Sequence, residues 1–213
     1  LLDPEKGGSW RIEAKGLEFV SRVYHNDSTM LQTILQCRAG ELQVEDFMPM
    51  GAGFYGICRK LSAAPTPLRL ILSPRPGYAE QAPELLKTSD GSISISCTLL
   101  LYASHPLEIK GSDICCEVPA GESSWFILSE DKLAAGEQVL AQAYEATREE
   151  WEEVSSHITY HGPYEEEVRN SLRVLRLMTY AENGGIVAAG TTSLPEVPGG
   201  DRNWDYRYVW LRD

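Results

Sequence analysis

From Gly91 to Leu101 apolar and polar side chains alternate: Ile93, Ile95, Cys97 and Leu99 are interleaved with Ser92, Ser94, Ser96 and Thr98. A period of two predicts a β-strand with one face in a core and one toward water. Shorter runs of the same character fall at Trp10–Ile12, Glu18–Tyr24, Met30–Cys37, Leu42–Met48, Phe54–Cys58, Leu68–Leu72 and Ser124–Leu128. Turn-forming residues separate them: Asn26-Asp27, Ala39-Gly40, Pro74 to Gly77, Asp90-Gly91 and Ala120-Gly121. Many short strands divided by regular turns predict an antiparallel sandwich.

The pattern changes near Glu130. Lys132 to His157 contains no proline and is rich in Ala, Glu, Gln and Leu, which predicts a long helix. Leu133, Leu140, Tyr144, Trp151 and Val154 are its expected apolar stripe, and the acidic run Glu149 to Glu153 reads as a solvated face. His161-Gly162-Pro163 breaks the pattern. A second helix is expected from Pro163, with Glu165, Glu166 and Glu167 favouring its N-terminal dipole and Val168, Leu172, Leu175 and Met178 at helical spacing. Gly184-Gly185 stops it, and Ile186 to Gly200 reads as an extended loop.

Composition narrows the function. The 213-residue chain has 31 acidic against 19 basic residues, a net charge of −12, which repels phosphate backbones and argues against a nucleic-acid partner. A hydrophobic fraction of 43% is that of a folded core, and no apolar run approaches a membrane span. The cysteines Cys37, Cys58, Cys97, Cys115 and Cys116 are odd in number and irregularly spaced, which favours reduced thiols in a cytoplasmic protein over a disulfide framework. They form no zinc pattern with the histidines, and His157 and His161 lack further ligands, so neither a metal nor a cofactor is expected. Trp10, Trp125 and Trp151, and likewise Met48, Met50 and Met178, read as packing residues.

The last thirteen residues, Asp201 to Asp213, hold four aromatics, three arginines and three aspartates. Arginine and aspartate offer directional hydrogen bonds to hydroxyls, and aromatic rings offer apolar faces, a mixture suited to a sugar ring. Two readings stand side by side: a sugar subsite, or an Arg–Asp network anchoring a loop. Asp205 and Asp213 as an acid–base pair would need carboxyls about 6.5–9.5 Å apart for inverting glycoside hydrolysis. Both also neighbour arginines, which lower a carboxyl pKa and suit binding better than proton donation. Leu1 in place of methionine, and a terminus crowded with aromatics, read as a piece of a longer protein.

The run from Leu172 to Asp213, LRVLRLMTYAENGGIVAAGTTSLPEVPGGDRNWDYRYVWLRD, closely resembles glycoside hydrolase family 15, which includes glucoamylases, glucodextranases and trehalases. Val44 to Gly51 and Ile158 to Leu172 resemble it more weakly. The resemblance implies a mainly β plus α chain: an N-terminal antiparallel β-sandwich (1–130), a linker helix (131–160), and the start of an (α/α)6 six-hairpin barrel (161–213). By matching position, Trp210, Arg212 and Asp213 would line the subsite for the non-reducing glucose, Tyr206 would stack near the sugar ring, and Asp205 and Arg207 would brace the loop. The family's general acid and base are glutamates from later loops, so no catalytic residue is expected within these 213. The implied parent is an inverting α-glucoside hydrolase of glucoamylase type, with an α-glucoside or oligosaccharide as its partner. A trehalase is the alternative within that class, and a non-catalytic sugar-binding or regulatory glucoamylase-like protein is the alternative outside it.

Overall fold

A computed structural model of the chain describes residues 6–25, 27–134, 136–193 and 196–211. Among these are twelve strands and two α-helices. They divide into two compact units, one running to Glu153 and the other beginning at Val154.

The first unit is built from two antiparallel sheets. One has the order β1 (Ser9–Glu13), β6 (Leu68–Ser73), β11 (Asp113–Val118) and β10 (Leu107–Lys110). The other has eight strands: β2 (Glu18–Tyr24), β3 (Leu31–Cys37), β4 (Gly40–Phe47), β5 (Gly56–Leu61), β12 (Ser124–Ser129), β9 (Leu99–Ala103), β8 (Ile93–Ile95) and β7 (Leu85–Lys87). Alternate residues of both sheets meet in a common core, with Leu42, Leu61, Leu70, Ile95, Ile114 and Phe126 almost wholly enclosed. This is the expected sandwich.

The other face of the large sheet is buried as well. Phe47, Cys58, Tyr102 and Ile127 form a second core with Leu140 and Ala143 of helix α1 (Glu137–Ser156). Strand β12 therefore sends Phe126 into the sandwich and Ile127 beneath the helix. Thr147 is completely buried in α1, where its hydroxyl donates to Ala143 O (2.6 Å) and accepts the Met50 N–H (2.9 Å). The hydroxyl thereby ties the β4–β5 connection to the helix. Thr147→Val keeps the shape but strands that N–H, and is expected to cost about 1–3 kcal/mol, measured by urea unfolding; a loss within error would show the bond contributes nothing.

The structure departs from the sequence reading at several points. The alternating run Gly91–Leu101 is a hairpin rather than one strand. Ser96 and Cys97 adopt positive φ (49° and 57°), the Thr98 N–H donates to Ile95 O (3.1 Å), and β8 turns back onto β9. Helix α1 begins at Glu137 instead of Lys132 because the preceding residues are pinned to the sheet. Asp131 accepts the Tyr55 N–H (3.0 Å), and the Leu133 N–H donates to the Tyr102 hydroxyl (3.0 Å). The buried side of α1 is Leu140, Ala143, Thr147 and Trp151. Met48 is 61% exposed and is not a core residue. The second helix, α2 (Glu165–Met178), starts after Pro163. All five cysteines are free, and only Cys97 is exposed. Burial pushes the Cys58 and Cys116 thiols up to about 12, which keeps them protonated. Asn26, of the expected Asn26-Asp27 turn, lies outside the described residues. No described helix is long and apolar enough to cross a membrane.

Candidate functional site

The second unit carries the charged–aromatic run. Its helix α2 opens with Glu165, which accepts from Arg169 (2.9 Å) one turn on and contacts His161 (3.2 Å). These partners hold the Glu165 carboxyl below its ordinary pKa, first through the Arg169 hydrogen bond and then through His161. None of the helix's residues is buried in this chain, and Val174, Leu175 and Leu177 are about half exposed.

The chain leaves α2 through a tight turn. The Tyr180 N–H donates to Gly185 O (2.8 Å), and the Gly184 N–H to Tyr180 O (2.9 Å). Both glycines are required. Gly184 has φ +71°, and a Cβ at Gly185 would lie 2.6 Å from Val209 Cγ2. That close approach lets the run after the turn pair with the terminal run. Val187 bridges Val209, and Thr192 bridges Asp205. Between them, Ala188 N–H reaches Tyr208 O (3.1 Å) and Ala189 N–H reaches Tyr206 O (2.9 Å). Ser193 and Trp204 exchange two bonds: Ser193 N–H to Trp204 O (2.7 Å) and Trp204 N–H to Ser193 Oγ (2.8 Å). The expected loop is thus one arm of an irregular antiparallel pair that holds the aromatic segment.

Asp205 and Arg207 grip one another. Arg207 donates through Nε to Oδ1 (2.9 Å), through Nη2 to Oδ2 (2.7 Å), and through its backbone N–H to Oδ1 (3.0 Å). The guanidinium bonds, then the backbone bond, hold the Asp205 carboxyl at about 2. It is ionised at neutral pH and accepts hydrogen bonds without offering a proton. Because the folded pKa lies below the ordinary value, the pair's contribution is complete above about pH 4 and is lost as pH falls through about 2. Arg207→Ala is expected to move the Asp205 titration up toward about 3.9, read by carboxyl-carbon NMR; an unmoved titration would remove Arg207 as the cause.

Tyr206 is half-buried and sits 6.5 Å, centroid to centroid, from the Trp210 ring at 35°. Trp204 donates through its indole to Glu196 (3.2 Å), which also pairs with Arg202 (3.6 Å). Glu196 had no role in the sequence reading, although it closes the SLPE portion of the motif. Of the expected site residues, Tyr206 and Trp210 are brought together and Asp205 and Arg207 bond each other, while Arg212 and Asp213 lie outside the described residues. Aromatic faces beside an ionised carboxylate and a guanidinium can bind a neutral polyhydroxyl ligand. No group of His, Cys, Asp and Glu able to hold a metal occurs among the described residues.

Residues 162–213 match the family model of Glycosyl hydrolases family 15. That stretch carries the family's sequence pattern, where the motifs suggested it. The whole chain is similar to the trehalase of Thermoplasma acidophilum, 28% identical over 231 residues, covering 100% of this chain and 39% of that protein. It is similar to Trehalase 1 of Sulfolobus acidocaldarius, 31% identical over 226 residues, covering 100% and 37%. A stretch of 51 residues is 51% identical to the trehalase of Mycobacterium tuberculosis, covering 24% of this chain and 8% of that protein. The chain therefore spans about two fifths of the length of the first two relatives.

Proposed function

We propose that the protein to which this chain belongs is an inverting α-glucoside hydrolase, with trehalose as its substrate. The observation that carries this is a coincidence of position: the family match falls on the segment whose two arms pair and present Tyr206 and Trp210 beside the Asp205–Arg207 fork. The relatives named trehalase are similar across the sandwich as well as the motif, which favours trehalose over the maltooligosaccharides of a glucoamylase. In this reading residues 1–130 form the sandwich domain, 131–160 the linker helix, and 161–213 the first part of an (α/α)6 barrel.

Each side chain then has a task. Trp210, Arg212 and Asp213 hold the terminal glucose, with Arg212 and Asp213 on its hydroxyls. Tyr206 lies against the ring where positive charge develops as the glycosidic bond breaks. The Asp205–Arg207 fork keeps that loop in place. A glutamic acid and a glutamate supplied beyond residue 213 protonate the leaving oxygen and activate water. The test is to assay the longer protein on trehalose, maltose, isomaltose and dextrin, following the anomer released by NMR. Trehalose cleavage that yields β-glucose beside α-glucose supports the proposal. Preference for maltose or dextrin makes the enzyme a glucoamylase, and no glucose from any of them removes the hydrolase reading.

A further inference from the structure

The first unit contains a feature that the C-terminal segment does not explain. Trp125 of β12 is a wall common to two cavities. One, of about 270 Å3, is bordered by Asp90, Ser92, Tyr102, Ser104 and His105. The other, of about 200 Å3, lies against the first half of α1 and is bordered by Lys60, Glu137, Tyr144 and Glu145.

The tryptophan is firmly placed. Its side chain packs against the core beneath α1, its backbone N–H donates to Ser104 Oγ (3.1 Å), its carbonyl accepts the Ser104 N–H (3.0 Å), and it pairs across the strands with Lys60. The polar groups around it are also placed in advance. Ser104 Oγ lies 2.8 Å from His105 Nδ1, and His105 Nε2 lies 2.8 Å from Glu122. Asp90 Oδ1 accepts from the Ser92 N–H (3.0 Å) and hydroxyl (2.8 Å). On the other side, Lys60 Nζ stands 5.4 Å from the centre of the Tyr144 ring, whose hydroxyl donates to Glu45 (3.3 Å).

We infer that Trp125 and its two flanking cavities form an accessory groove for a gluco-oligosaccharide, with one sugar ring on each side of the indole. The borders mix carboxylates, hydroxyls, a histidine and a lysine. That suits a ligand with many hydroxyl donors and acceptors, and suits an anion or a lipid chain poorly. Each cavity is smaller than the roughly 300 Å3 at which drug-sized pockets begin, the scale of a single ring. The indole supplies the apolar face against which the C–H side of a sugar packs. The choice of a glucose oligomer rests on the proposed α-glucoside hydrolase class and not on trehalose as the substrate; the groove's fitness for a saccharide rests on neither.

The experiment is to titrate the 213-residue chain with maltotriose, read by saturation-transfer NMR and by calorimetry, alongside W125A and W125F. Binding is expected in the parent chain, weakened about tenfold or more in W125A, and partly retained in W125F. No binding of maltotriose, or binding indifferent to Trp125, overturns the proposal. If W125A does not fold, K60M/E137Q on the rim takes its place, with about threefold weakening expected and unchanged affinity overturning it. Hydrolysis by the longer protein is measured separately, so failure of the groove and failure of the proposed activity are told apart.

Discussion

Purified by itself, the 213-residue chain is expected to release no glucose from trehalose, maltose or dextrin, whereas the longer protein is expected to do so. Inverting hydrolysis requires one carboxyl that is protonated at working pH and a second that activates water on the opposite side of the sugar. Asp205 does not meet the first requirement. Asp205 is held at about 2 by Arg207 and stays ionised. Glu196 is engaged by Trp204 and Arg202. The resemblance puts both catalytic glutamates beyond residue 213. Turnover detected in a glucose-release assay of the pure chain, and abolished by Asp205→Ala, would show that the proton donor is already here.

Phe126→Ala is expected to be the most damaging single change to the sandwich, at about 3–5 kcal/mol. Phe126 is 1% exposed and meets the Trp10 ring edge-on at 6.0 Å. On Trp10 rests the Arg59 guanidinium, 4.4 Å from the ring centre, which grips Asp46 on β4 through two bonds (2.6 and 3.0 Å). Removing Phe126 leaves a cavity between the sheets and withdraws the support beneath that stack, so strands β1, β4, β5 and β12 all lose contacts. Urea unfolding should show a lower midpoint with an unchanged slope. A loss below about 1 kcal/mol would mean that the neighbouring side chains collapse into the space.

Two strands were legible in the sequence with nearly their observed bounds. Glu18–Tyr24 was read with its observed bounds, and Ser124–Leu128 within one residue. Three strands were overlooked: Leu85–Lys87, and the pair Leu107–Lys110 and Asp113–Val118, which flank Gly111-Ser112, where Gly111 has φ +63°. A two-residue glycine turn of that kind is a hairpin signal that was available in the sequence. The hairpin inside Gly91–Leu101 was not. Ser96 and Cys97 are ordinary strand residues by propensity, and their positive φ follows from pairing on both sides, including the Ser96 N–H bond to Glu84 O (2.7 Å).

The candidate site was legible as chemistry and not as geometry. The residue types of Asp201 to Asp213 raised a sugar subsite and an Arg–Asp network as alternatives, and the motif pointed to the family. That Ile186 to Ser193 would be the arm holding Trp204 to Val209 could not be read from its Gly, Thr and Ser content, because pairing across a turn leaves no local periodicity.

The sequence by itself determined the strand-rich first part, the two helical stretches, the acidic surface and the family motif, since each is written in neighbouring residues through side-chain period, turn preference and charge. Only the tertiary structure decided that Phe126 and Ile127 serve two different cores, that Thr147 ties α1 to the β4–β5 connection, and that Trp125 stands between two cavities. Those outcomes depend on which strands and helix meet from far apart in the chain, and burial belongs to that meeting rather than to any local run of residues.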